Sequence, residues 1–141
     1  MKLTFDIAPQ AQARPRATRM GKGIRLYDPK KTADFKKQLR LLAQAKQIEP
    51  LEDALRMEIW FYRPVQKSIS KKEHDRRTTG LARPIVKPDT DNYIKSTLDA
   101  LNGVLWKDDA QIVDLNTHKF YSDNPRIEIE LEELGWQSWK D

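Results

Sequence analysis

The apolar positions along this chain fall into two spacings, and the changes between them mark the elements. Residues 3 to 8, LTFDIA, alternate apolar and polar with a β-branched and aromatic bias, which predicts a strand. Phe35, Leu39, Leu42 and Ala43 then recur at i, i+4, i+7 and i+8. That spacing predicts an amphipathic helix over about 32 to 47, with Thr32 as N-cap and Lys36, Lys37 and Arg40 on the other face. In residues 54 to 63 the period returns to two, with Leu55, Met57, Ile59 and Phe61 on one side and Pro64 stopping the strand. A second helix is predicted over about 92 to 102, where Ile94, Leu98 and Leu101 make the buried stripe and Gly103 stands at the C′ position. Residues 111 to 121 and 126 to 132 read as strands joined by an Asn124-Pro125 turn, and the tail EELGWQSWKD reads as a short helix or packed coil. The order β, α, β, α, β, β predicts a single α+β domain, with two main helices packed on one face of a small mixed β-sheet.

Two stretches lack either period. Residues 9 to 25 carry Arg14, Arg16, Arg19, Lys22 and Arg25 and no carboxylate. Residues 65 to 87 hold seven Lys or Arg, among them Lys71, Lys72, Arg76 and Arg77, against two acids. Both read as mobile basic loops, because they offer little to bury and repel themselves.

Composition narrows the chemistry. With 141 residues the chain is long enough to build a core without covalent or metal support. It has no cysteine and only two histidines, His74 and His118, so thiol chemistry and thiolate-held zinc are excluded, an all-histidine metal site is disfavoured, and any metal is expected to be held by oxygen. The start of the chain lacks the apolar core of a signal sequence, and no later stretch approaches the ~20 apolar residues of a membrane span. A soluble, cytoplasmic protein without membrane partners is the expectation. The net charge of +5 hides an asymmetry. Residues 1 to 88 hold 21 basic and 9 acidic side chains, whereas 89 to 141 hold 5 and 12. The basic part is suited to a polyanion, which leaves the acids to be explained.

The acids gather in KPDTDNYIKSTLDALNGVLWKDDAQIVD, residues 87 to 114. Asp89 and Asp91 are two residues apart in a segment that Pro88 biases toward extended backbone, so they can point the same way. Lys95 lies one helical turn beyond Asp91, and Asp108-Asp109 follow the same helix on a turn. Phosphodiester cleavage with Mg2+ needs carboxylate oxygens, open positions for water and phosphate, and a cation for transition-state charge. Asp89, Asp91, Asp109 and Lys95 supply those groups. Each also has a plainer role: Asp91 as a helix N-cap, Asp89 and Asp108-Asp109 as turn residues, Lys95 as an ion-pair partner of Asp91. Lys119 falls on the face of its strand shared by Val113, Leu115, Thr117 and Tyr121. It is either a snorkelling strand end or a second cation at the acidic site.

The pattern K-P-D-x-D-N-x-x-K-x-x-x-D-A-L from Lys87 to Leu101, a following glycine, D-D-x-Q-I at Asp108 to Ile112, and Lys119 together resemble the RusA family of Holliday junction resolvases. Arg14-Pro15-Arg16 and the R-I-E-I strand at 126 to 129 also fit. This resemblance implies a small α+β fold and a two-fold homodimer. It also implies that Asp89, Asp91 and Asp109 are Mg2+-binding catalytic acids, with Asp108 a further candidate ligand, Mn2+ a possible substitute, and Lys95 the catalytic lysine. Some relatives carry a histidine just before K-P-D, where Ile85 and Val86 stand here. The expected substrate is branched DNA, a four-way junction, held by Arg14, Arg16, Arg19, Lys22, Lys71, Lys72, Arg76, Arg77 and Lys119, and no nucleotide cofactor is expected. A non-catalytic branched-DNA-binding protein is the competing reading; a D-x-D nucleotide-sugar transferase is disfavoured by the absence of a nucleotide-binding domain.

Overall fold

The structure, a computed structural model, describes residues 1–135. Its strands are β1 (Lys2–Phe5), β2 (Arg16–Met20), β3 (Gly23–Tyr27), β4 (Leu55–Pro64), β5 (Ile112–Ser122) and β6 (Arg126–Glu133). Its helices are α1 (Lys30–Gln44), α2 (Lys71–Thr78) and α3 (Thr90–Leu101), with a short 3-10 turn at Asp109–Gln111. The main sheet has the order β1-β6-β4-β5, antiparallel except for the parallel pair β4-β5. It is a mixed-sheet α+β fold with α1 and α3 on the core face of the sheet, as the periodicities imply.

Alternation decides which face is covered. On β4, Leu55 joins Met57, Ile59 and Phe61, of which the last three pair with Leu131, Ile129 and Ile127 of β6; Ile129 and Ile127 pair in turn with Leu3 and Phe5 of β1. All are buried, together with Phe35, Leu39 and Ala43 of α1 and Tyr93, Ala100 and Leu101 of α3. Removing a Leu or Ile side chain of this kind from water stabilises the fold by about 1.5–3 kcal/mol. The opposite face carries Trp60 stacked on His118 and Tyr62 stacked on Phe120, with the Arg126 and Arg83 guanidinium groups lying over Tyr62 and Phe120 at 3.8 and 3.6 Å.

Several expectations change. The basic stretch 10–25 is no irregular loop: residues 16 to 27 form the β2-β3 hairpin, with Arg16 opposite Tyr27 and Met20 opposite Gly23. Gly21, at φ +56°, gives its tight turn the left-handed backbone it needs. Every hairpin residue is exposed, so the pairing buries nothing that periodicity could reveal. The second basic stretch, 65–87, contains α2, a third helix among the described residues beside the two expected. Ser70 Oγ accepts from the Glu73 backbone N–H at 3.2 Å, and Glu73 pairs with Arg76 and Arg77, so capping and ion pairs sustain a helix with no buried residue.

Smaller differences have local causes. Thr32 is not a cap: α1 starts after Pro29, and Thr32 is buried inside the helix, its Oγ1 accepting from the Ala13 N–H at 3.3 Å. The buried stripe is Thr32, Phe35, Leu39 and Ala43, and Leu42 of the expected stripe is exposed. β1 is shorter than expected and ends at Phe5, its last residue paired with β6, opposite Ile127. Ile94 and Leu98 only flank the core, and Tyr93, Ser96, Thr97 and Ala100 take the buried side of α3 with Leu101. Trp136 and Trp139, in the tail read as a short helix or packed coil, lie outside the described residues. Among the described residues no helix is long and apolar enough to cross a membrane.

Candidate active site

Asp89, rather than Asp91, occupies the N-cap position of α3, and Asp91 lies in the first turn. The Asp89 side chain makes no capping hydrogen bond. Among the described residues neither carboxylate has a hydrogen bond or a close ion pair. Two anions at a helix N-terminus are favoured by its dipole, and without a hydrogen-bond donor on them their oxygens remain available.

The segment entering these acids is held by cations from the sheet. Lys119 Nζ donates to the backbone carbonyls of Pro88 at 2.8 Å and Val86 at 3.2 Å, and Arg63 Nη1 donates to that of Lys87 at 3.1 Å. Three successive carbonyls ahead of Asp89 thus face two positive charges. Lys119 ends a cross-sheet row, Phe5-Ile127-Phe61-Lys119, which explains its place on the apolar face. Burial, then the neighbouring Arg63 charge, push its pKa below the usual lysine value, while Asp89 pulls it back up. Its ammonium is directed at the acid-bearing segment and is engaged there. Arg63 was missed by sequence reasoning, because a basic residue at a strand end carries no signal until its partner segment is placed.

Along α3, Asp91, Lys95 and Asp99 follow at intervals of four residues, and Lys95 Nζ pairs with Asp99 Oδ2 at 3.4 Å instead of with Asp91. The turn bearing Asp108-Asp109 folds back beside this helix. Trp106, fully buried, donates its indole N–H to Asp109 Oδ1 at 2.7 Å and so fixes the acid from the core. Burial raises the Asp109 pKa, the Trp106 hydrogen bond lowers it, Asp99 and Asp108 raise it, and Lys95 lowers it. Asp109 is therefore an electrostatic neighbour of the Lys95-Asp99 pair. Asp108 is the N-cap of the 3-10 turn, its backbone N–H donating to Gln111 Oε1 at 2.8 Å while its backbone carbonyl accepts from the Gln111 N–H at 3.0 Å.

The structure brings together Lys95, Asp99 and Asp109, and separately Asp89 with Lys119. It does not draw Asp89, Asp91 and Asp109 into one close group: among the described residues no three acids or histidines could jointly hold a metal ion. The donors available are all carboxylate oxygens, which suit Mg2+, an ion that is commonly held by one or two carboxylates and completed by water and substrate phosphate. Asp89 and Asp91 fit that partial role.

The expected DNA contacts divide into two surfaces. Arg14, Arg16, Arg19 and Lys22 are exposed on or beside the hairpin, and Lys71, Lys72 and Arg76 are exposed on α2. Arg77 is partly committed, pairing with Glu73 and lying 4.7 Å over the Tyr121 ring.

The chain is 40% identical over 138 residues to "Uncharacterized protein YqaN" of Bacillus subtilis (strain 168), covering 96% of this chain and 97% of that one. The family described as endodeoxyribonuclease RusA matches residues 6–132, which include the acid loop, Lys95, the Asp108-Asp109 turn and Lys119. With nearly its whole length matched, the chain belongs to the RusA endodeoxyribonuclease family.

Proposed function

We propose that this protein is a Mg2+-dependent, structure-selective endodeoxyribonuclease that resolves four-way DNA junctions by paired symmetric nicks, acting as a homodimer. The observation that carries the reading is the pair of carboxylates without a side-chain hydrogen bond, Asp89 and Asp91, at the head of α3 in a chain whose hairpin and α2 surfaces are basic. Family membership supports the nuclease chemistry, and the fine substrate choice is this reading's own.

Asp89 and Asp91 would hold the Mg2+, with Asp109 adding negative charge beside Lys95 and Asp99. When bound, the ion supplies charge neutralisation at the scissile phosphate and an acidified water as nucleophile, giving a 5′-phosphate and a 3′-hydroxyl. Lys95 faces the charge that develops on the phosphoryl oxygens. Lys119 and Arg63 hold the acid-bearing segment in place through its carbonyls, leaving its carboxylates free. The hairpin and α2 contact backbone phosphates away from the reaction, which gives affinity without base readout. Two such sites related by a two-fold axis would nick opposite strands of one junction.

A binding-only role draws support from the lack of a closed three-acid cluster among the described residues. The two readings separate on a labelled synthetic four-way junction and a linear duplex of the same sequence, each incubated with Mg2+ or with EDTA. Symmetric scission of the junction alone, only with Mg2+, is expected. Tight junction binding with no scission under any divalent ion would leave the binding role standing.

A further inference from the structure

Lys95 is an exposed lysine on a helix surface, with 63% of its side chain in solvent, and such a side chain samples many rotamers. What restrains it is Asp99, and Asp99 is itself restrained from another element. Lys36, on α1, donates to Asp99 Oδ2 at 3.3 Å, the same oxygen that Lys95 reaches at 3.4 Å. The Lys36 ammonium is also 2.8 Å from Asp28 Oδ2, and Asp28 follows the hairpin strand β3 directly. The second Asp28 oxygen accepts from Gln12 Nε2 at 2.9 Å, on the segment leading into β2. A continuous chain of charge-assisted contacts therefore runs from both ends of the hairpin, through α1, to Lys95. Its inner members are the sheltered ones: Lys36 and Asp28 keep 20% and 25% of their side chains exposed.

We propose that Lys36 and Asp99 are positioning residues for Lys95, and that through Asp28 they couple the seating of the hairpin to the placement of that lysine. The proposal rests on the nuclease reading for its catalytic half. Lys36 also supplies the positive charge between Asp28 and Asp99, and Asp99 has Asp109 as a further acidic neighbour. Without Lys36, Asp99 is no longer tethered to α1 and Lys95 no longer has a fixed partner. A displacement of about 1 Å at a group facing the reacting phosphate costs up to about 100-fold in rate.

The test uses Lys36→Met, Lys36→Arg, Asp99→Asn and the double variant Lys36→Met/Asp99→Asn, with Lys37→Met as an exposed neighbour on the same helix. Single-turnover junction cleavage with Mg2+ is measured beside junction affinity with Ca2+. Lys36→Met and Asp99→Asn should each slow cleavage roughly 10- to 100-fold with affinity changed less than about threefold. The double variant should be no slower than the worse single, because both remove one linkage. Lys36→Arg should recover most of the rate, and Lys37→Met should behave as wild type. A Lys36→Met enzyme cutting at the wild-type rate, or losing affinity and cleavage in equal measure, would overturn the positioning role. Amide hydrogen exchange gives a readout free of catalysis: Lys36→Met should speed exchange in residues 12 to 28 without changing the β4 and β6 core strands. Unchanged exchange there refutes the coupling even if the enzyme is active. Faster exchange in Lys36→Met, when the wild-type protein itself never cuts, would refute the nuclease reading and keep the structural link.

Discussion

The hydrogen bond between Trp106 and Asp109 ties the core to the candidate site, and its removal has a calculable effect. Trp106→Phe keeps an aromatic ring in the core but deletes the indole N–H that reaches Asp109 Oδ1 at 2.7 Å. A hydrogen bond to an ionised carboxylate contributes about 1.5–3 kcal/mol, and the lower part of that range applies because Asp109 remains partly open to water. The smaller ring at a fully buried position removes about 1 kcal/mol more of packing. The sum, about 2.5–3 kcal/mol at pH 7, corresponds to a fall in Tm of roughly 8–12 °C for a chain of this size. The sign of its pH dependence follows from linkage. Burial holds Asp109 above its ordinary carboxylate range, with the Trp106 hydrogen bond acting against that rise. An acid whose folded-state pKa exceeds its unfolded value binds its proton more tightly when folded, so stability falls as pH rises through the window between the two. Deleting the donor raises the folded value further and deepens the fall. The assay is a double-mutant cycle of Trp106→Phe and Asp109→Ala by urea unfolding at pH 7 and pH 4. A coupling of about 1.5–2 kcal/mol is expected at pH 7, shrinking toward the ~0.5–1 kcal/mol of a neutral hydrogen bond at pH 4. A coupling below about 0.5 kcal/mol at pH 7, or one equal at both pH values, refutes the reasoning.

Other expectations follow from single interactions. Arg40→Ala removes the donor to the Ala100 and Asn102 carbonyls at the end of α3 and should cost about 1–2 kcal/mol; an unchanged urea midpoint contradicts it. His74 has its pKa raised, first by its hydrogen bond to Asp123, so this pair stabilises the fold below the unfolded His value of ~6.5 and ceases to do so as pH rises through the folded value. Asp123→Asn should therefore lower the His74 midpoint in an NMR titration and lower Tm at pH 5.5 but not at pH 9. Replacing Arg14, Arg16 and Arg19 by Gln should make the log–log salt slope of junction binding shallower by roughly 0.9 for each phosphate no longer neutralised; an identical slope removes the hairpin surface from the interface.

What the sequence revealed depended on whether an element buries anything in a regular pattern. β4 and β6 were legible because Leu55 to Phe61 and Ile127 to Leu131 alternate strictly against charged or amphipathic neighbours. The β2-β3 hairpin and α2 bury no residue, so no stripe or alternation singled them out from loops. Their signals were local: the Gly21-Lys22-Gly23 turn between β-compatible residues, and the Ser70-x-x-Glu73 capping pattern. In the candidate site, Lys119 stood out as a charge on an apolar strand face, and its carbonyl partners account for that position. Arg63, Lys36 and Asp99 acquire meaning only through interactions between elements distant in sequence. The return of Asp109 toward Lys95 is set by a buried tryptophan three residues away, which spacing alone could not reveal.

The central claim is that the carboxylates at the head of α3 do chemistry on a DNA branch. The most direct test compares wild type with Asp91→Asn on an end-labelled four-way junction in Mg2+, measuring strand scission and junction affinity together. Wild type should cut symmetrically across the branch, and Asp91→Asn should bind at least as tightly while cutting at least roughly 100-fold more slowly, as expected when a metal-binding carboxylate is removed. Equal scission by the two proteins would contradict the account.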